Sequence, residues 1–173
     1  MSKNSNSIRK LTMSGAALAL CLLLPFITGQ MQQIGNALCP MHLPVLLAGM
    51  VCGWQYGLVV GIIAPILRFF LFGMPPIFPI GTAMAFELGT YGLISGLLFM
   101  RSKKKLSDVY ISLIGAMLAG RVVWGIVRFV MAGLFGVEFS LAAFIAGGFT
   151  TAIPGIIVQL ILIPILVIAF QKA

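Results

Sequence analysis

Apolar positions in this chain come in long unbroken blocks, and the polar positions that separate them are short and clustered. The blocks run from about Ile8 to Gly29, Leu43 to Trp54, Tyr56 to Phe72, Ile80 to Met100, Leu106 to Phe135 and Leu141 to Phe170. Most reach the roughly 20 residues that a helix needs to cross a bilayer. None shows the strict polar–apolar alternation of a barrel strand, and a backbone in lipid must satisfy its own hydrogen bonds, so the pattern predicts helices.

The interruptions are informative. Gln30 to His42 is a polar, uncharged connection containing Gln30, Gln32, Gln33 and Asn36. Trp54, Gln55 and Tyr56 suit a membrane interface and predict a tight turn between two short helices. The run GMPPIFP, Gly73 to Pro79, holds three prolines and predicts a loop. Pro25 bends the first helix near its end, and Pro154 and Pro164 kink the last one.

Composition agrees with this reading. Of 173 residues, 61% are hydrophobic and only 8% charged, against about a quarter charged in soluble domains. The expected fold is an all-α integral membrane protein with six transmembrane helices and both termini cytoplasmic. Residues 1–173 form one transmembrane domain, with 1–7 a flexible cytoplasmic N-terminus. The basic start followed by an apolar stretch also describes a signal peptide, but it lacks a clean cleavage site and reads as a retained helix.

The net charge of +8 does not point to nucleic acid, because of where it lies. Lys3, Arg9 and Lys10 precede the first block, Arg101, Lys103, Lys104 and Lys105 fill one loop, and Lys172 ends the last block. A cytoplasmic N-terminus puts all of them on the inside, as the positive-inside rule requires. The expected location is therefore a bacterial cytoplasmic membrane, spanned several times. Three unpaired cysteines give no disulfide framework. Cys39 and His42 alone do not make a metal site, and no metal or cofactor is expected.

Five ionisable groups interrupt or adjoin the apolar blocks: Arg68, Glu87, Arg121, Arg128 and Glu138. A charge within a span costs roughly 3 kcal/mol or more, so such groups face a protein interior or a cavity. With about 1.5 Å of rise per residue, Arg68 and Glu87 fall at similar depths in the outer half. Arg121 and Arg128 lie about 10 Å apart on one helix face, with Trp124 between them. Asn36 and His42 join from the polar connection, and Tyr91 from the fourth helix. The group describes an outward-facing pocket of net positive charge. Guanidinium pairs well with carboxylate or phosphate, so a small anionic or zwitterionic ligand is expected, stacked on aromatic rings. The plainer alternative is a structural Arg68–Glu87 ion pair with Arg128 and Glu138 at the interface.

Glycines spaced by four at Gly49, Gly53, Gly57 and Gly61, and at Gly92 and Gly96, predict close helix contacts. Gly15, Ala16 and Ala19 give the first helix a smooth face on its cytoplasmic half, suited to a partner helix. Enzyme chemistry lacks an inventory: the sole aspartate, Asp108, adjoins the cytoplasmic loop, and no nucleophile elbow or nucleotide-binding loop occurs. Active transport would need energy from another protein.

The layout, together with PMHLPVLLAGMVCGWQYGLVVGIIAP, FGMPPIFP and AMAFELGTYGL between 40 and 93, resembles the substrate-binding S component of an energy-coupling factor transporter. The resemblance implies a transmembrane coupling subunit carrying two ATPase subunits, docked on the Gly15-x-x-x-Ala19 variant of an alanine-rich face. It also implies a water-soluble vitamin or precursor, bound near the outer surface beneath the loops. A positive pocket favours a carboxylate such as pantothenate over cationic thiamine, while a neutral pyridoxine-like or pyrimidine ligand would stack on Trp124 and bond to Glu87. A stand-alone facilitator is the alternative function and a membrane-embedded enzyme a distant one.

Overall fold

The computed structural model describes residues 3–27 and 37–172, which are helical almost throughout and contain no strand. The helices are α1 (Lys3–Ile27), α2 (His42–Cys52), α3 (Trp54–Phe72), α4 (Thr82–Met100), α5 (Leu106–Phe135), α6 (Leu141–Ile145) and α7 (Ile153–Lys172). Single π-helical turns, Ile77–Gly81 and Ala146–Thr150, precede α4 and follow α6. Five stretches are long and apolar enough to cross a membrane, and the eleven-residue α2 is shorter. Its length is about 16 Å, half the hydrocarbon thickness.

The distribution of side chains is inverted relative to a soluble bundle. Val59, Phe70, Phe86, Ile111, Leu118, Ile126 and Leu134 are exposed, whereas Arg68, Glu87, Ser95, Ser112, Arg121 and Gln159 are buried. Such a surface belongs in lipid, and the chain is a multi-pass membrane protein.

Several boundaries differ from the sequence expectation for identifiable reasons. α1 starts at Lys3 rather than Ile8. The break between α2 and α3 is one residue, Gly53, at φ 114° and ψ 161°, a conformation that favours glycine. Trp54, Gln55 and Tyr56 are therefore the first turn of α3 and not a turn between helices. The last block is interrupted at 146–152, ahead of both prolines; Pro154 occupies the second position of α7, where the missing N–H costs nothing, and Pro164 lies inside α7. α5 keeps its expected limits. The Asp108 carboxylate accepts from the Lys105 N–H at 2.9 Å at its start, and Gly136 ends it in the left-handed region.

Packing at the centre is backbone on backbone. Gly49 of α2, Gly57 of α3 and Gly92 of α4 meet so closely that a Cβ on any of them would overlap a neighbouring main chain, and Gly61 lies likewise against the Leu88 carbonyl. The spaced glycines thus form no single stripe but converge on α4 from two helices. Around this contact, Val45, Leu46, Leu88, Leu113 and Ile163 are enclosed.

The two ends of the bundle differ. At one end Gly96 lies against the Trp54 backbone, and Gln171 Nε2 donates to the Lys104 carbonyl at 3.5 Å, which gathers the Gly53 break, the basic 101–105 loop and the end of α7. At the other end the ring of Phe78 meets that of Phe135 edge-on at 5.3 Å, so the proline loop rests on the end of α5.

Candidate functional site

Glu87 and Arg121 are brought together by a close approach of α4 and α5. Gly120 lies against the Tyr91 ring and the Glu87 carbonyl, leaving no room for a side chain there. The next residue, Arg121, then reaches across, with Nη1 at 2.8 Å from Glu87 Oε1. His42, the first residue of α2, places Nε2 at 3.4 Å from the same oxygen. The Tyr91 ring stands edge-on to the imidazole at 4.9 Å, and Arg121 Nη2 donates to Cys39 Sγ at 3.5 Å. Glu87 and Tyr91 are 2% and 1% exposed, so the cluster is shut off from lipid.

Enclosure leaves polar atoms without hydrogen-bond partners among the described residues. They are both ring nitrogens of His42, Glu87 Oε1, Arg121 Nε, Arg128 Nε and Nη1, and Gln159 Oε1, with His42 Nε2 and Glu87 Oε1 in ion-pair contact only. Buried polar atoms of this kind are few in native proteins, because each costs on the order of 1–3 kcal/mol. Four of these atoms, on His42, Glu87 and Arg121, fall in one cluster.

Gln159 was not among the residues singled out by sequence. Gly155, one turn before it on α7, lies against the backbone of Ala37 and Leu38, and α7 packs on both α2 and α5. Gln159 continues that buried face and is 2% exposed. The available signal was its isolation as the sole polar side chain between Ile153 and Phe170.

The other expected residues are dispersed. Arg68 does not pair with Glu87: its Nη1 donates to the Leu22 carbonyl of α1 at 2.8 Å, and its guanidinium lies over the rings of Phe26 and Phe72 at 5.4 and 5.5 Å. Trp124 stands edge-on to Phe139 at 5.4 Å and stacks on Phe144 at 6.1 Å, and Arg128 lies 4.9 Å over the Phe139 ring. Arg68, Arg121 and Arg128 thus have separate partners among the described residues. Asn36 lies outside the described residues, as do Gln30, Gln32 and Gln33. Glu138 is exposed.

Among the described residues, no group of three or more His, Cys, Asp or Glu could hold a metal ion. An apolar furrow lined by Leu58, Ile62, Phe86 and Gly89 lies between α3 and α4, and the hydroxyl of Thr90 beside it is committed to the Phe86 carbonyl at 2.7 Å. The furrow thus offers a ligand no free hydroxyl donor. On α1, Gly15, Ala16 and Ala19 are all exposed, and nothing lies within 4 Å of where a Cβ on Gly15 would stand.

Residues 9–167 match the family model described as ECF transporter, substrate-specific component. Neither the curated proteins nor the solved structures contain a match.

Proposed function

Starting from a chain that belongs to the substrate-specific components of ECF transporters, we propose that it captures a small water-soluble vitamin or precursor at the Glu87–Arg121–His42 cluster and delivers it through a partner complex. The observation that carries this reading is the set of enclosed, unpartnered polar atoms around an ion pair in the middle of an apolar protein. Members of this family are transporter subunits and not enzymes. The site accordingly binds and orients, and the energy for uptake comes from ATP hydrolysis elsewhere in the assembly.

The chain acts as one membrane-embedded unit of six crossings, with α2 and the residues before it supplying the short one. Both termini lie in the cytoplasm of a bacterial cell. Support comes from the end of the bundle that collects the basic 101–105 loop and the end of α7, because lysine and arginine concentrate on the inside. The opposite end, with the proline loop 73–79 and the segment leading to His42, faces outward and closes over the ligand. Tyr91 and Trp124 supply aromatic surfaces, and Arg128, with two enclosed nitrogens free of hydrogen bonds, attracts an anionic group as in pantothenate. We also propose Asn36 as a ligand-binding residue, from its polar side chain in the sequence.

The coupling subunit and its two ATPase subunits dock through Gly15, Ala16 and Ala19. This face is exposed and small, as a helix-to-helix contact in lipid requires.

Native mass spectrometry of the detergent-purified protein from cells grown in rich medium tests the reading. A retained vitamin-sized molecule that is lost in Glu87→Gln and Arg121→Gln supports it. Uptake by the isolated chain in liposomes, without any ATPase, would instead make it a stand-alone facilitator.

A further inference from the structure

Arg128 is a cation without an acid beside it. The chain has three acidic residues: Glu87 is taken by Arg121, Asp108 caps the far end of α5, and Glu138 is exposed. Both ion-pair contacts among the described residues belong to Glu87. The Arg128 guanidinium has the Phe139 ring at 4.9 Å, while its Nε and Nη1 are enclosed and without hydrogen bonds. An anion that pairs with it has to come from outside the described residues.

Between this arginine and Arg121 the face of α5 is already occupied. Gly125 stands four residues after Arg121 and three before Arg128, so it shares their face, near the middle of the roughly 10 Å that separates them. The Phe144 ring fills that position, and a Cβ on Gly125 would overlap the ring's edge. The same ring stacks on Trp124 at 6.1 Å and 24° and approaches Phe129 at 6.3 Å. Phe144 comes from α6, a helix of five residues with none buried, which lies between Gly136 and the Gly147–Gly148 pair. Contacts between rings, and not the packing of α6, make its seat.

We propose that Phe144 is a displaceable plug: a ligand held at the Glu87–Arg121–His42 cluster and paired through an anionic group with Arg128 takes the place of the ring over Gly125, against Trp124. The inference rests on the binding reading given above and adds to it a residue that competes with the ligand. It also gives the ligand a form, an acid about 10 Å long whose charged group lies at the Arg128 end and whose middle fits the room of a phenyl ring.

The test follows the ring and the affinity separately. Position 144 is filled with 4-fluorophenylalanine, whose fluorine resonance senses the Trp124 indole, and the detergent-purified protein is mixed in turn with pantothenate, biotin, nicotinate and 4-pyridoxate. Wild type and Phe144→Ala are equilibrated with the same acids, washed, and the retained molecules measured by mass spectrometry. Both readings are also taken on any molecule carried through purification, before and after it is stripped. The expected result is retention of a long acid, pantothenate or biotin or a co-purified molecule of similar length, with the fluorine resonance moved to that of a solvent-exposed ring. Phe144→Ala should hold that molecule about two- to tenfold more tightly, the equivalent of one aromatic pair. A retained molecule that leaves the resonance unmoved, or that a folded Phe144→Ala holds no more tightly, overturns the plug and leaves the binding protein standing, as does retention of the short acids alone. The fluorine reading decides the matter if Phe144→Ala fails to fold. If neither protein retains an acid or carries a small molecule through purification, the binding reading itself falls.

Discussion

Replacing Glu87 with glutamine separates two accounts of the central ion pair. The substitution conserves shape and an acceptor oxygen but removes the negative charge, leaving the Arg121 guanidinium in a buried site without a counter-charge, with only neutral acceptors such as the new amide and the Cys39 thiol, 3.5 Å from Nη2. Breaking a buried pair by deleting one member costs about 3–5 kcal/mol. For a chain of this size, each kcal/mol lowers the melting temperature by about 2–4 °C, so Tm should fall by about 6–20 °C. Removing both charges in Glu87→Gln with Arg121→Gln abolishes the orphaned ion, and that protein should melt within about 5 °C of wild type while retaining no ligand. The assay is thermal unfolding followed by intrinsic tryptophan fluorescence in a mild detergent, with ligand-stripped protein throughout. If the two single changes simply add in the double variant, Glu87 and Arg121 are not energetically coupled and the geometry assigned to them is wrong.

Three further outcomes are expected. Gly92→Leu forces a side chain into the Gly57 main chain and should abolish recovery of monodisperse protein, as size-exclusion chromatography would show; normal recovery would contradict the backbone contact. Ala19→Trp or Gly15→Trp should leave Tm and ligand retention unchanged but eliminate co-purification with the coupling subunit and uptake in cells, and loss of retention would argue against a docking role. Arg68→Met removes the bond to the Leu22 carbonyl and should cost about 1–3 kcal/mol of stability with retention of the small molecule preserved; a lost ligand at unchanged Tm would return Arg68 to the binding site.

What the sequence disclosed follows from which interactions are local. α5 was legible to the residue because both of its limits are written in neighbouring positions, the Lys105–Asp108 cap and Gly136. The burial of charged residues was also legible, since Arg68, Glu87 and Arg121 stand alone in apolar runs. Their pairing was not. Helical rise puts Arg68 and Glu87 at similar expected depth, yet Arg68 goes to a carbonyl near Pro25, and Glu87 goes to Arg121 because Gly120 brings two helices together. Both choices depend on contacts between segments far apart in the chain. The break in the last block was not legible for a different reason: it forms at Gly147 and Gly148 alongside the Trp124 ring, a contact with a distant helix, ahead of the prolines at 154 and 164. Gln159 was visible as a lone amide in an apolar run but carried no motif.

The shortness of α2 bears on how the protein is made. A helix of about 16 Å that starts at His42 is too short to be held by lipid partitioning alone. Its tightest contact, Gly49 against Gly92, belongs to a helix that ends at Met100. During synthesis the first half of the hairpin must therefore wait, unsettled at the insertion machinery, until α4 has emerged. A nascent chain arrested before residue 100 would leave α2 accessible to water-soluble thiol reagents at Cys52, and one arrested after it would bury that thiol.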